Sequence, residues 1–482
     1  MQTIKNIKEK TIHVVAGLHR HLVSVNCADP VSLSKENIIE YNKTRTEYNF
    51  RHLCHAPFAN IYFGYEGRMG VCCYNRTHVI GTYPHHSIRE AWFGATLGVL
   101  RDKIKKYDLS SGCYACKAQW SEKAYKTVLA RNYDKFSVKG KYPKVFEFEL
   151  SNRCNLQCIM CSEENSSAVA RERFDVAEKL QPYDDHFIEE LSEFIPHLQS
   201  AKFLGGEPFL IPLYYKIWEQ IYTKNPSCEI VVQTNGTVLN DNIKALLKKG
   251  KFSISISVDS LNKETFENIR RNADFDSVYS NLMYFIDFCK ENGRFIGIAC
   301  CFMQQNWKDI PGLINFCNEH QIPLTFNRVW ATAGCAVWGS SLGLIDEIIA
   351  NYQLQRFPAK TPVERNNLMA FNDLKNLLQE WRQLELLKKE KEDLFSRADI
   401  NILEEQVYDI LVNTELSENI SAADREKILE KLDYLLGKFR REPWFRSLLI
   451  KMSNIPGEIL QQELLKNSSE RIEQQVKELL EK

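Results

Sequence analysis

One short stretch of the chain constrains its chemistry more than any other. Cys154, Cys158 and Cys161 follow the spacing C-x3-C-x2-C, directly after a run of residues that alternates like a β-strand. A closed zinc site needs four ligands, and cubane iron–sulfur clusters are usually held by four cysteine thiolates. Three thiolates on one loop would leave one iron of a [4Fe–4S] cluster open to a substrate or cofactor. The alternatives are a zinc knuckle completed by a distant cysteine, or three cysteines that fall together by chance.

The residues that follow Pro143 predict a parallel α/β fold. Strand-like runs alternate with helical stretches of roughly 10 to 20 residues, which is the pattern of β/α units. Six units imply parallel strands joined by right-handed crossovers, and six are too few for a complete eight-stranded barrel. The predicted strands are 145–151, 200–204, 229–234, 252–258, 295–303 and 324–329.

The cysteine loop, including its C-N-L-x-C wording, resembles that of the radical SAM enzymes. Gly205-Gly206-Glu207-Pro208 follows the second strand and resembles the G-G-E-P segment of the same family. The resemblance implies a partial (β/α)6 TIM-like barrel, with S-adenosylmethionine (SAM) chelated to the open iron. Reductive cleavage of SAM would release a 5′-deoxyadenosyl radical. Cys154, Cys158 and Cys161 are therefore the predicted catalytic residues, and they hold the predicted [4Fe–4S] cluster.

The same resemblance implies a set of SAM-binding residues at the strand ends. Residues 205–208 would meet the methionine amino group. Asn235, in the T-N-G segment after the third strand, could line the site or simply form a turn. The family's counterpart of Met160 approaches the adenine, largely through its backbone, and packing explains this side chain equally well.

Three further residues complete the predicted SAM contacts. Ser257 and Asp259 match the family's S-x-D segment, which lies near the SAM ribose and carboxylate. Arg270 matches an arginine of the next helix and could pair with the SAM carboxylate. Asp259 could instead cap the helix that follows it.

A second group of cysteines precedes the barrel. Cys54 followed by Gly67-x4-Cys72 resembles the opening of SPASM and twitch domains, which hold auxiliary iron–sulfur clusters in radical SAM enzymes. Here the module precedes the barrel and has too few cysteines for two clusters, so we expect one auxiliary [4Fe–4S] cluster. Cys73 could replace Cys72 as a ligand, and zinc could replace the cluster. The predicted auxiliary ligands are Cys54, Cys72, Cys113 and Cys116.

These patterns predict an α/β protein with four segments. Residues 1–50 have no assigned role, and residues 51–130 form a small α+β SPASM/twitch-like domain. The partial barrel spans residues 143–330. Residues 340–482 are rich in Leu, Glu, Lys and Gln and form a helical extension. That extension could cover the barrel, mediate a dimer or bind a partner.

The charge balance excludes several classes of partner. Lys+Arg and Asp+Glu both number 62, so no basic field favours nucleic acid and no polybasic segment favours a membrane. The N-terminus has no convincing signal peptide or membrane span, which predicts a cytoplasmic protein.

The predicted function is that of a radical SAM enzyme, an oxidoreductase or transferase that abstracts a hydrogen from its substrate. Enzymes with such auxiliary modules often modify ribosomally made peptides or proteins, so we expect a substrate of that class. A small molecule, such as a sugar, nucleotide or cofactor precursor, is the alternative. The expected electron donor is a reductant such as flavodoxin or ferredoxin. A non-catalytic metal-binding or electron-transfer scaffold is the alternative of another class.

Overall fold

The computed structural model describes residues 33–45, 52–121, 123, 125–174, 181–329, 334–396, 399–413, 422–453 and 457–480. Most of the predicted segment 1–50 lies outside these residues. The chain divides into two compact units. The sheet unit comprises Leu33–Cys113 and Lys126–Trp381, and the helical unit contains the described parts of Tyr114–Tyr125 and Arg382–Lys482.

The sheet unit is built on one sheet of nine strands in the order β3-β2-β1-β4-β5-β6-β7-β8-β9. The six strands β4 to β9 are parallel to one another, as expected for successive β/α units. Each lies within a few residues of its predicted position. The strands are β1 Asn60–Phe63, β2 Arg68–Gly70, β3 Gly81–Thr82, β4 Val145–Phe148, β5 Ser200–Phe203, β6 Glu229–Thr234, β7 Lys251–Ser257, β8 Ile296–Phe302 and β9 Leu324–Arg328.

The N-terminal hairpin belongs to the same sheet as the barrel strands, which the domain prediction did not anticipate. β1 and β2 pair antiparallel around Glu66 and Gly67, both at positive φ, whereas β1 pairs with β4 in parallel. Phe63, Phe148 and Phe203 stand side by side on β1, β4 and β5, and their rings stack across the three strands. The strands β1 to β3 therefore share a sheet with the barrel strands, and Phe63 shares their aromatic core.

The helices of the sheet unit mostly connect successive strands. Phe275–Glu291, for example, contacts both β7 and β8 and buries Leu282, Phe285 and Ile286. These helices are α1 Lys35–Asn42, α2 Ala56–Ala59, α3 Ile88–Phe93, α4 Ala95–Lys105, α6 Ser167–Phe174, α7 Asp185–Leu191, α8 Pro212–Lys224, α9 Asp241–Leu247, α10 Lys263–Ile269, α11 Phe275–Glu291, α12 Ile310–Glu319, α13 Leu342–Leu354 and the first part of α14 Pro362–Ser396.

The helical unit has its own apolar core. Leu403, Val407, Leu432, Leu448 and Leu464 are buried together, in keeping with the helical spacing of apolar residues along this segment. None of the helices among the described residues combines the length and apolar character that a bilayer-spanning segment requires. The helices of the helical unit are α5 Tyr114–Ser121, the last part of α14, α15 Ile400–Asn413, α16 Ala422–Phe439, α17 Phe445–Met452, α18 Gly457–Lys466 and α19 Ser469–Leu480.

Candidate active site

The candidate site lies where the parallel strands end. The cysteine loop follows β4, and backbone hydrogen bonds attach it to the segments that follow β5 and α10. Gly206 N donates to Ser151 O at 3.0 Å, and Ile159 N donates to Ile269 O at 2.9 Å. Because carboxyl ends of parallel strands meet at one edge of the sheet, the loops after β4, β5, β6 and β7 converge there.

The two glycines after β5 allow the backbone to pass close to the cysteine loop. Gly205 has φ +120°, a conformation that side chains other than glycine rarely adopt. A Cβ atom on Gly206 would lie 2.1 Å from the carbonyl oxygen of Arg153. The predicted need for glycine at this turn thus has a steric cause, namely its packing against the cysteine loop.

Glu207 binds the loop after β6 rather than pointing into solvent. Its Oε1 accepts hydrogen bonds from Thr234 Oγ1 at 2.8 Å and Phe209 N at 3.1 Å, and its Oε2 accepts from Asn235 N at 2.7 Å. Burial raises the pKa of Glu207 to about 7, although these hydrogen bonds favour the ionised form. Both carboxylate oxygens of Glu207 therefore bind groups of the protein, and the backbone of residues 205–208 is the part of this segment left for contact with a ligand.

Asn235 lies beside the first cysteine. Its Nδ2 is 3.8 Å from Cys154 Sγ and also donates to Asn155 Oδ1 at 3.0 Å. Its Oδ1 accepts from Thr237 N and from Thr237 Oγ1, at 2.9 and 2.7 Å. The T-N-G segment is thus both the turn and the neighbour of the cysteine loop that the sequence predicted as alternatives.

Asp259 and Arg270 form a buried ion pair. Arg270 Nη2 lies 2.8 Å from Asp259 Oδ2, and Asp259 Oδ1 accepts from Cys301 N at 2.7 Å. Burial by itself would lower the pKa of Arg270, but Asp259 raises it above its usual value, so the guanidinium is charged. The expectation that Asp259 could cap the next helix is wrong, since Asn262 caps α10 by accepting from Thr265 N. Asp259 holds Arg270 instead.

The thiols of the cysteine loop interact with one another. A hydrogen bond between Cys158 and Cys161 raises the pKa of Cys158 and lowers that of Cys161. Burial raises the pKa of Cys154 to about 11. The Arg270 charge opposes the rise in the pKa of Cys158 and adds to the lowering of the pKa of Cys161, so on both residues it acts in favour of the thiolate form that metal binding requires.

The remaining predicted SAM contacts lie on the same edge of the sheet. Ser257 Oγ, at the end of β7, accepts from Gln233 Nε2 at 3.0 Å. Pro208 begins a short 3-10 turn that buries Phe209. Met160 packs with Ile159 and Cys301 against an apolar cluster that contains Ile269 and Met303, so its side chain has a packing role.

Three cysteines of the second group, Cys54, Cys72 and Cys73, lie in another part of the sheet unit. Cys54 and Cys72 pack against one apolar cluster that includes Tyr133 and Phe136. Cys73 instead lies beside Glu147, whose carboxylate accepts a hydrogen bond from the Cys73 backbone N–H. Burial and this carboxylate raise the pKa of Cys73 to about 12, which disfavours its thiolate.

Cys113 has a polar neighbour in the sheet unit. Its Sγ lies 3.7 Å from Asn75 Nδ2. Cys116 lies on α5, in the helical unit.

Within the described residues, no three His, Cys, Asp or Glu side chains converge on one metal-ion position. The ligand sets therefore remain predictions from spacing, and their fit is judged from the chemistry of the neighbours. One loop presents three thiols beside a buried cation. Arg270 Nε is also buried and has no acceptor among the described residues, so an acceptor group on a bound molecule would satisfy it. Both features fit a SAM-chelating iron–sulfur cluster.

Sequence reasoning missed several residues that shape this site. Thr234, Asn155 and Thr237 connect the loops after β4, β5 and β6 through side-chain hydrogen bonds. Cys301, in β8, binds Asp259 through its backbone. These residues could have been noticed because they lie at strand ends, in or near the motifs. Nothing in the sequence pattern identified their hydrogen-bond partners.

A family comparison agrees with this geometry. The model of the Radical SAM superfamily matches residues 148–317. Residues 148–317 are a radical SAM domain. This domain extends from the end of β4 to α12 and contains every residue of the candidate site.

The match to the Radical SAM superfamily, together with curated relatives that are named as cyclases, indicates an enzyme. The GTP 3',8-cyclase of Clostridium perfringens (strain 13 / Type A) is 28% identical over 195 residues, covering 39% of this chain and 57% of that protein. The probable GTP 3',8-cyclase of Methanocaldococcus jannaschii is 27% identical over 186 residues, covering 39% of this chain and 58% of that protein. The chain thus spans less than two thirds of the length of these relatives.

The similar solved structures are more distant. Native anSMEcpe with bound AdoMet and Kp18Cys peptide has a TM-score of 0.33 and 18% identity, covering 43% of this chain and 59% of that one. Streptococcus suis SuiB bound to precursor peptide SuiA has a TM-score of 0.33 and 14% identity, covering 54% of this chain and 58% of that one. At such TM-scores the likeness carries no argument about substrate.

Proposed function

We propose that this protein reductively cleaves SAM and uses the resulting 5′-deoxyadenosyl radical to abstract a hydrogen atom from a substrate. The observation that carries the proposal is the arrangement at the strand ends. Cys154, Cys158 and Cys161 share one loop, with an asparagine and a buried arginine beside their sulfurs. A cofactor of this kind carries the reactive chemistry, and the protein supplies binding, orientation and exclusion of water.

The residues of the domain divide these tasks in the proposed site. Cys154, Cys158 and Cys161 hold a [4Fe–4S] cluster, which supplies the electron for SAM cleavage when bound. The backbone of residues 205–208, kept in place by the Glu207 carboxylate, binds the SAM amino group. Arg270 binds the SAM carboxylate through its unsatisfied Nε. Ser257 and the backbone of Met160 would contact the ribose and the adenine of SAM.

For the substrate, we propose a peptide or protein, in the manner of a peptide maturase. This choice rests on the resemblance of Cys54 and Gly67-x4-Cys72 to the opening of SPASM and twitch domains. A small-molecule substrate is the second candidate, and the names of the sequence relatives favour it. These matches cover 39% of this chain, at 27–28% identity, so we retain the peptide as the first candidate.

The auxiliary site is the second part of the proposal. We assign Cys54, Cys72, Cys113 and Cys116 as ligands of one [4Fe–4S] cluster. Cys72 is preferred over Cys73 because it packs against the same apolar cluster as Cys54, whereas the backbone N–H of Cys73 binds the buried carboxylate of Glu147. An auxiliary cluster could bind the substrate or accept an electron from the substrate radical.

Iron counting and spectroscopy test both metal assignments. Protein reconstituted anaerobically with iron and sulfide should bind about eight iron atoms per chain, as two cubane clusters. A Cys54→Ala, Cys72→Ala variant should retain about four, with a SAM-sensitive electron paramagnetic resonance (EPR) signal after reduction. Cys73→Ala is the matched control and should bind as much iron as the wild type. If the four auxiliary cysteines retain zinc and bind no iron, the auxiliary site is a structural zinc site and not an iron–sulfur cluster.

The substrate class is tested by incubating the protein with both kinds of candidate substrate. Candidate peptides encoded beside the gene and GTP are each incubated with SAM and a reductant such as flavodoxin or ferredoxin, and products are identified by mass spectrometry. A mass change only in the peptide supports the maturase, whereas conversion of GTP supports the second candidate. A protein that binds neither SAM nor a cluster on the three-cysteine loop would be a scaffold.

We also propose a cytoplasmic location, because the cysteines that hold the clusters must stay reduced.

A further inference from the structure

Two side-chain N–H groups face the sulfur atoms of the cysteine loop. Asn235 Nδ2 lies 3.8 Å from Cys154 Sγ, and Arg270 Nη1 lies 4.0 Å from Cys158 Sγ. The two donors come from different parts of the fold, the end of β6 and the end of α10. Each donor therefore addresses a different thiol, and neither belongs to the cysteine motif itself.

The orientation of the Asn235 amide is fixed by its other hydrogen bonds. Its oxygen accepts from the backbone N–H and the hydroxyl of Thr237, so the nitrogen must face the opposite direction. That nitrogen has two hydrogens and two acceptors, Asn155 Oδ1 and Cys154 Sγ. The backbone of Asn235 is also held, because its N–H donates to the buried carboxylate of Glu207. The amide is thus held in place as a donor to sulfur before any cofactor binds.

Arg270 is held with similar firmness. Its side chain is only 7% exposed, and its Nη2 pairs with the fully buried Asp259. The remaining face of the guanidinium, with Nη1, points to Cys158. A buried cation here lowers the free energy of negative charge on the neighbouring sulfurs.

Hydrogen bonds and charges near cluster sulfurs set the reduction potential of iron–sulfur clusters. An added electron increases the negative charge on the sulfurs, and an N–H donor stabilises that charge. We propose that Asn235 and Arg270 raise the reduction potential of the cluster held by Cys154, Cys158 and Cys161, so that a physiological donor can reduce it. The inference rests on the proposed function, because it assumes a cluster on these cysteines.

The test is a redox titration of the reconstituted full-length protein, followed by EPR. Asn235→Ser removes the amide donor, while its hydroxyl can still accept from Thr237 N and keep the turn. Asn235→Asp is isosteric and places a carboxylate oxygen against the sulfur. Asn281→Ala is the matched control, because Asn281 supports the same turn through Gly236 O, at 2.9 Å, without facing a sulfur.

We expect the midpoint potentials to fall in the order wild type, Asn235→Ser, Asn235→Asp. For Asn235→Ser the ratio of reduced to oxidised cluster at a fixed potential should fall about tenfold, equivalent to ~59 mV for one electron. The Asn281→Ala control should keep the wild-type potential. Iron content measured on each sample distinguishes a shifted potential from a lost cluster.

Equal potentials in wild type and both Asn235 variants overturn the inference and leave the proposed function intact. Wild-type protein that binds no cluster on Cys154, Cys158 and Cys161 overturns the proposed function and the inference with it. If neither Asn235 variant incorporates the cluster, Arg270→Lys decides the matter. Lysine keeps the charge beside Asp259 but lacks the second nitrogen that faces Cys158. An unchanged potential in that variant also overturns the inference.

Discussion

Asp259 and Arg270 show how one buried pair can support a whole site. Removing one partner of a buried ion pair leaves the other charge uncompensated, which typically costs about 3–5 kcal/mol. We expect Asp259→Ala to lower the free energy of unfolding by about that amount in urea denaturation. Asp276 pairs with Lys263 in solvent, so Asp276→Ala should change the free energy of unfolding far less than Asp259→Ala does. Similar losses in the two variants would mean that Asp259 does not hold Arg270 as the structure has it.

The close approach at Gly206 gives a second prediction. Gly206→Ala places a Cβ atom 2.1 Å from the Arg153 carbonyl oxygen, so the cysteine loop or the strand end must move. We expect at least a tenfold weaker affinity for SAM, about 1.4 kcal/mol, measured by equilibrium binding to the cluster-loaded protein. Gly343 lies in a helix with nothing within 4 Å of the place that an alanine methyl group would take, so Gly343→Ala is the control and should bind SAM normally. Normal SAM affinity in Gly206→Ala would contradict a role for this backbone in binding.

Glu207 gives a prediction about pH. Its pKa is raised to about 7 by burial, against an ordinary value of 4.5. Between these values the folded protein binds more protons than the unfolded chain, so stability falls as pH rises. A shift of this size corresponds to about 3 kcal/mol, lost between about pH 4.5 and about pH 7.

The isosteric variant Glu207→Gln does not titrate, so its free energy of unfolding should depend less on pH over the same interval. Urea denaturation of both proteins at about pH 5 and about pH 8 measures the difference. Parallel pH dependence in the two proteins would show that Glu207 is ionised throughout this range.

Sequence reasoning found most of these residues but not their partners. Cys154, Gly206 and Asn235 stood out because a motif has a fixed wording and spacing. The pairing of Arg270 with Asp259 and the burial of Glu207 depend on which strand ends meet in space. That information is tertiary, so the motifs named these residues as SAM contacts without naming the contacts that they also make within the protein.

At the scale of elements, the junction between the N-terminal hairpin and β4 depends on two buried carboxylates. Glu149 accepts hydrogen bonds from Tyr62, Tyr65 and Arg76, the last at 2.8 Å. Glu147 accepts from Asn60 at 2.9 Å. These bonds attach the hairpin and the segment after it to the barrel strand.

Glu149→Ala should therefore loosen the hairpin selectively. We expect faster amide hydrogen exchange in β1 and β2, with a loss of about 1–3 kcal/mol for the buried partners left unpaired. Exchange in β8 and β9 should stay unchanged. Glu219, exposed on α8, provides the control variant Glu219→Ala. Uniform acceleration over the whole sheet would indicate global destabilisation instead of a local attachment.

The strands of the barrel were predictable because their periodicity is local. Phe146 and Phe148 flank Glu147 along β4, and apolar residues alternate with serines along β7. The attachment of β1 to β4 was not predictable, because Phe63 and Phe148 lie far apart in the sequence and nothing local specifies that they stack. The predicted boundary between a cluster-binding domain and a barrel was placed between two motifs. In the structure, the strands on both sides of that boundary belong to one sheet.

At the scale of the whole molecule, the radical SAM domain occupies residues 148–317, and the rest of the chain surrounds that match in sequence. The regular spacing of apolar residues made the C-terminal helices predictable. Their role could not be predicted, since an apolar helical face specifies burial and not a partner. The substrate could not be predicted from the sequence either, because the recognised motifs concern the binding of SAM and iron.

The central claim is that the three cysteines support SAM cleavage. The most direct measurement is 5′-deoxyadenosine formed anaerobically by reconstituted protein with SAM and dithionite, in the presence and absence of candidate substrates. We expect product from the wild type and none from a Cys154→Ala, Cys158→Ala, Cys161→Ala variant. Product in equal amounts from both proteins, or wild-type protein that carries its cluster yet binds no SAM, would contradict the account.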